Sequence, residues 1–448
     1  MSDKTLIRNA RLVNEDRITE SDLLIRDGRI DRIAPDIAAA DGVEIIDAGG
    51  RYLLPGMIDD QVHFREPGLT HKGGIRSESR AAAAGGITSF MEMPNTLPPT
   101  VTLDALEDKY AVAAEKSLVN YAFYLGATND NLEVIRSLRP GQAAGIKIFM
   151  GASTGNMLVD NEDTLAGIFR DAPALIATHC ESTPLIEANL EAALERYGPN
   201  IPITEHPNIR SAEACYVSTV LAQELARRYS APLHVLHLST GREMELFEPG
   251  PMNDKLITAE VCVHFLHFDS SHYPTHGNRI KCNPAIKTPA DRAALLQALE
   301  EGRLDIIATD HAPHTAEEKA ATDYLKAPAG LPLVQDALLS VLELHHDGDL
   351  SLERIVRLTA HNVADRFRVI DRGYLREGYW ADLVLVDTAT PTPVTADRVL
   401  SQCGWTPFEG ETFRSAIART IVNGRTVFDG QAIVEADAAM RLEIGAQR

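Results

Sequence analysis

Eight short apolar runs, each followed by a stretch with helical periodicity, constrain this chain more than any other feature. The runs are LLPGMIDDQVHF, ITSFMEMPN, NYAFYLGAT, GIKIFMG, ALIATHCE, LHVLHLST, LITAEVCVHFLHF and DIIATDHAPH. Amphipathic stretches such as TLDALEDKYAVAAEK and SAEACYVSTVLAQELARRY lie between them. A strand covered on both faces reads as a near-continuous apolar run, and alternation with helices is the pattern of a parallel sheet. Eight such units predict an α/β chain closed into a (β/α)8 TIM-type barrel. An open doubly wound sheet is the alternative, but no GxGxxG follows the first strand.

The two ends have a different texture. LIRNARLVN, SDLLIRDGRIDRIAP and VEIIDAGGRYLLPG at the start, and WADLVLVDTA and RTIVNGRTVFDG near the finish, read as short strands punctuated by DG, GG and NG turns. Each end alone is too small to bury a core. The economical reading joins residues 1–54 and 373–448 into one small composite β-sandwich domain, flanking a barrel over 55–372.

Lys and Arg total 43 against 64 Asp and Glu, a formal charge of −21. That balance argues against a nucleic-acid partner or an anionic membrane surface. It also means that an anionic substrate needs local positive charge to enter. Five dispersed cysteines without CxxC spacing suit reduced thiols in a cytoplasmic protein. No signal-peptide core and no apolar run near the ~18 residues of a membrane span is evident.

Barrels of this kind carry their chemistry at the C-terminal ends of the strands. The polar residues that close the runs therefore form one candidate set: His63 after strand 1, Asn95 after strand 2, Lys147 on strand 4, His179 after strand 5, His237 after strand 6 and Asp310 after strand 8. Three imidazoles and a carboxylate brought together by barrel closure are a donor set for a divalent metal such as Zn2+. Lys147 sits inside the strand pattern GIKIF. A buried ammonium is costly and loses its proton readily. A neutral lysine can add carbon dioxide to give a carbamate, a carboxylate on a long arm able to bridge two cations; a salt bridge to a neighbouring carboxylate is the alternative. His234, and His264 and His267 placed on strand 7, read as hydrogen-bonded core residues, and Cys180 as a small buried one. The polar stretch Thr315 to Pro328 lacks periodicity and reads as a lid or as a plain surface loop.

These residues carry a resemblance. PGMIDDQVHFREPGLTHKG, MEMPNT, CNPAIKTPADRAAL and ATDHAPHTAEEK together resemble the amidohydrolase superfamily, and within it the dihydroorotases of the longer, bacterial class. The likeness covers nearly the whole chain. It implies His63 as a ligand to one metal, carbamylated Lys147 as a bridge, and His179 and His237 completing the other site. Asp310 would bind metal and act as acid and base. Arg65, Asn95 and His314 would hold a substrate carboxylate, with Asn283 and the Ala329-Gly330 backbone lining the ring pocket. One or two Zn2+ per chain and a homodimer follow from the same resemblance. The chain departs from the family at Gln61, where the His-x-His of strand 1 has its first histidine; an amide is the poorer ligand, so the first metal position is weakened.

The implied reaction is reversible closure of N-carbamoyl-L-aspartate to L-dihydroorotate plus water. Two other readings stand beside it. One is a different cyclic-amide hydrolase, a dihydropyrimidinase, hydantoinase or allantoinase. The other, suggested by Gln61, is a non-catalytic dihydroorotase-like subunit associated with aspartate transcarbamoylase.

Overall fold

The computed structural model describes residues 4–151 and 157–446. Each of the eight apolar runs contains one parallel strand. In order these are Met57–Val62, Ile87–Glu92, Asn120–Phe123 continued by Leu125–Gly126, Ile146–Phe149, Ile176–His179, Leu233–Val235, Ile257–Cys262 and Ile306–Ala308. Neighbouring strands pair in sequence order from the first to the third and from the third to the eighth. The ring closes where the His63 amide donates to the His311 carbonyl at 2.7 Å and Val62 bridges His311 in parallel register. The fold is an α/β barrel. Its inside is filled by Ile58, Met91, Met93, Tyr124, Leu236 and Ile306, so it is a packed core and not a pore.

The intervening helices begin where local chemistry directs. Thr102 caps Leu103–Lys116 by accepting from the Ala105 amide, and Ser211 caps Ala212–Tyr229 by accepting from Ala214. Ser230 ends the latter helix in the left-handed region.

Two expectations need correcting. The first apolar run is not one strand. Tyr52–Pro55 belongs to a separate sheet, and the barrel strand starts after Gly56, where a Cβ would lie 2.2 Å from the Thr88 side chain. The seventh run is also divided: its strand stops at Cys262, and Val263–His267 is a helix. His264 and His267 therefore stand on that helix, beyond the end of strand 7. Pro55-Gly56 is the one local mark of the first break, and no Gly or Pro marks the second.

A second, eight-stranded sheet takes strands from both ends of the chain. Its order is Arg425–Phe428, Ala416–Val422, Leu383–Asp387, Tyr52–Pro55, Lys4–Asn14, Arg17–Arg26 and Arg29–Ala34, with Glu44–Asp47 also beside Lys4–Asn14. The alternation of a strand divides its side chains between two faces. Leu53, Leu383 and Leu385 enter a core of the sheet's own, while Leu54, Val384 and Val386 join the main core shared with the barrel. Among the described residues no helix is long and apolar enough to cross a membrane.

Candidate active site at the barrel mouth

All twelve residues singled out in the sequence, Gln61, His63, Arg65, Asn95, Lys147, His179, His237, Asn283, Asp310, His314, Ala329 and Gly330, line one cavity of about 210 Å³. Phe149, Ala312 and Pro328 complete its wall. The register of the first two strands shifts between Asp59 and Val62. Such a bulge re-aims side chains, and here the consecutive residues Asp60 and Gln61 both point into the barrel interior. Arg65, His237 and Asp310 sit at φ +61°, +41° and +51°. Backbone strain of this kind costs on the order of 1–3 kcal/mol per residue and gathers at functional sites.

The hydrogen-bond partners define how the ring nitrogens face. His63 donates from Nδ1 to Asn95 Oδ1 at 2.7 Å, which leaves the Nε2 lone pair toward Asp310 Oδ1, 3.0 Å away. His179 donates from Nε2 to Glu181 Oε2 at 2.9 Å, so its Nδ1 lone pair faces His237 Nε2, also at 2.9 Å. His237 Nδ1 has no hydrogen-bond partner. In both pairs, donor atoms of metal-ligand type converge. Burial lowers the pKa of His63, His179 and His237. Their imidazoles are thereby kept neutral, the form that ligates metals. This arrangement fits divalent cations.

Lys147 is buried with its Nζ 4.7 Å over the Phe149 ring, and no carboxylate forms an ion pair with it among the described residues. Burial pulls its pKa down to about 8. Gln61 directs its amide nitrogen to Asp310 Oδ1 at 3.2 Å and its oxygen toward Cys262 Sγ at 3.8 Å. Cys180 is buried, its thiol pushed up to about 12 by desolvation.

The opposite wall is cationic. Arg65 is buried, donates from Nε to the Pro313 carbonyl at 3.1 Å and places Nη2 3.1 Å from His314 Nε2. Among the described residues, no carboxylate lies in ion-pair range of its guanidinium. Lys72 Nζ stands 3.1 Å from the other ring nitrogen, His314 Nδ1, and also pairs with Glu318. A neutral imidazole has one acceptor nitrogen, so His314 cannot satisfy both cations. Burial and the neighbouring Arg65 and Lys72 hold its pKa far below the usual range. Asn283 Oδ1 has no partner.

The polar segment after His314 is fastened down. Thr315 caps the short helix Ala316–Lys319. Lys319 Nζ donates to the carbonyls of Lys281, Pro328 and Gly330 at 2.9–3.0 Å, and Lys281 Nζ donates to those of Tyr324 and Ala327. The two lysines thereby set the Pro328–Gly330 wall of the cavity.

Sequence reasoning did not single out Lys72, Glu181 or Arg210 for roles. Lys72 and Glu181 lie inside quoted segments. Arg210, which pairs with Glu181 behind His179, is 29 residues farther along and carries no local signal.

The comparisons agree with this geometry. The sequence pattern described as Amidohydrolase family matches residues 52–427. A dihydroorotase of Halobacterium salinarum is 37% identical over 419 residues, spanning 91% of this chain and 94% of that protein. An allantoinase of Bacillus velezensis is 32% identical over 433 residues, 96% of this chain and 94% of that protein. Among solved structures, the L-hydantoinase (dihydropyrimidinase) from Arthrobacter aurescens superposes with a TM-score of 0.92 at 29% identity, covering 98% of this chain and 99% of that one. The chain belongs to the amidohydrolase family and is an enzyme of the cyclic amide hydrolase class.

Proposed function

We propose that this enzyme is a dihydroorotase, catalysing the reversible cyclisation of N-carbamoyl-L-aspartate to L-dihydroorotate plus water in pyrimidine biosynthesis. The observation that carries the choice is Arg65, a buried guanidinium in the cavity with no carboxylate partner among the described residues. In a chain of formal charge −21, an unneutralised buried cation calls for an anionic ligand. A ring carboxylate meets that need, and the planar fork of arginine binds two carboxylate oxygens at once. The identity to dihydroorotases over most of the chain supports the same reading.

In this reading His179, His237 and Lys147 hold one Zn2+, with Lys147 as its carbamate. His63 and Asp310 offer a second, weaker position, where Gln61 serves as a hydrogen-bond donor to Asp310. A bound divalent cation supplies Lewis-acid chemistry, lowering the pKa of an attacking water from 15.7 to about 7 and polarising a carbonyl. In the hydrolytic direction Asp310 takes the proton of that water and delivers it to the leaving ring nitrogen; general acid–base help of this kind typically gives about 10²–10⁴-fold. Arg65, Asn95 and His314 hold the substrate carboxylate. Asn283 and the Ala329-Gly330 backbone face the ring. We further take residues 1–54 and 373–448 as one composite domain beside the 55–372 barrel. A cytoplasmic homodimer completes the proposal, and co-purification would test association with aspartate transcarbamoylase.

The test is metal analysis beside the dihydroorotate assay, on wild type and Asp310→Ala. One to two ions per chain at the mouth and activity lost in the variant are expected. A metal-free, inactive wild type overturns the reading. Turnover of allantoin or a hydantoin, with none of dihydroorotate, assigns the site to the other cyclic amides.

A further inference from the structure

Beneath the mouth, inside the barrel, three more ligand-type side chains meet. Asp60 on strand 1, His234 on strand 6 and Glu260 on strand 7 are all fully buried, and one donor atom from each lies within 4.8 Å of the others. None of the three lines the cavity above.

The hydrogen bonds orient the imidazole. His234 Nδ1 is 2.8 Å from Thr258 Oγ1, whose own hydroxyl donates to the Leu233 carbonyl. The hydroxyl must therefore accept from Nδ1–H, and Nε2 is left facing Glu260 Oε2 at 3.2 Å and Asp60 Oδ2 at 3.4 Å. The contact to Glu260 is within hydrogen-bond range and the one to Asp60 lies beyond the ~2.7–3.2 Å of an N–H···O bond. They match the ~3.4 Å edge between ligands held at ~2.1 Å around a tetrahedral cation.

Asp60 supplies an independent observation. Neither of its carboxylate oxygens accepts a hydrogen bond. Ile58, Leu236 and Phe367 belong to the apolar cluster around this layer, Tyr124 spends its hydroxyl on the Asp60 backbone carbonyl, and the donor-type atom that faces the carboxylate is His234 Nε2 at 3.4 Å. A buried carboxylate without a donor is strongly disfavoured, and such orphans mark an ion or a proton not otherwise accounted for.

We propose that Asp60, His234 and Glu260 form a structural divalent-cation site, with Zn2+ the best match to one imidazole and two carboxylates, separate from the metal positions at the mouth. The ion would neutralise the two acids and give His234 the outer hydrogen bond by which metal-bound histidines are commonly oriented. It would also brace the site above. The other oxygen of Glu260 accepts from the His237 backbone amide at 3.0 Å, the residue held at φ +41°. The cation would thus anchor the carboxylate that pins His237.

The test separates the two levels. A Lys147→Ala/His179→Ala/His237→Ala chain is produced with Zn2+, desalted and assayed for metal per folded chain. About one ion is expected beyond any held weakly at His63 and Asp310, and it is lost when Asp60→Asn and Glu260→Gln are added. A folded triple variant without zinc overturns the proposal and leaves His234 as an imidazolium between two acids. Should the triple variant not fold, the wild type and Asp60→Asn/Glu260→Gln are compared: one ion fewer supports the site, and equal content overturns it. Because the readout is metal content, failure here is distinguishable from failure to turn over dihydroorotate.

Discussion

Gln61 and Arg65 are four residues apart and make opposite demands on the cavity. Gln61 puts an amide N–H where an imidazole lone pair would serve a cation better, and it spends that donor on Asp310. Gln61→His is expected to raise metal content per chain, measured by elemental analysis; unchanged content would mean that position 61 lies outside the coordination sphere. Arg65 contributes charge that no neighbouring carboxylate neutralises. Arg65→Met is expected to raise KM for dihydroorotate by roughly 10- to 100-fold, the loss of one or two charge-assisted hydrogen bonds, while a ring lacking the carboxylate is affected less. Equal effects on both substrates would remove Arg65 from carboxylate binding. At this scale the sequence was informative. The strand-end candidates His63, Asn95, Lys147, His179, His237 and Asp310, and the residues that the resemblance added, all reach one cavity. What stayed hidden were supporting partners such as Arg210 behind Glu181, whose role depends on a contact and not on a motif.

At the scale of elements, apolar runs showed where strands lie but not where they stop. The break at Gly56 is marked only by Pro55-Gly56, and the helix Val263–His267 begins with no Gly or Pro to announce it. The seam between the terminal sheet and the barrel gives a testable pH dependence. His361 donates from Nδ1 to the Gly373 carbonyl at 2.6 Å and accepts from the Glu15 amide at Nε2, at 3.0 Å. The bond from the Glu15 amide needs the neutral ring, and burial lowers its pKa to about 4. The unfolded chain, with an ordinary value of about 6.5, binds the proton more readily. This contribution is therefore fully present above pH 6.5 and is lost as pH falls toward 4, amounting to at most about 3 kcal/mol. His361→Gln is expected to be less stable at pH 7 yet to show a shallower fall between pH 6.5 and 4 in urea titrations. A slope equal to that of wild type would place the acid sensitivity elsewhere.

The whole molecule carries its −21 charge on a surface where like charges repel, and that repulsion is long-ranged and screened by salt. Many of its ion pairs are exposed and worth little singly, so screening them forfeits less than it relieves. The melting temperature is expected to rise by a few degrees between 0.05 and 1 M KCl. A fall would show that surface pairing outweighs the net charge.

The linear chain by itself determined the alternation of strand and helix, because apolar periodicity and capping are local properties. It also determined the kinds of donor available at the strand ends. Only the tertiary structure decided which donors meet. Barrel closure sets His63 3.0 Å from Asp310 across 247 residues of chain and brings Asp60 to His234 in a layer that excludes water. Proximity and desolvation belong to the closed barrel, and they settle which imidazoles stay neutral, which cation is left without a partner and which carboxylate is left without a donor.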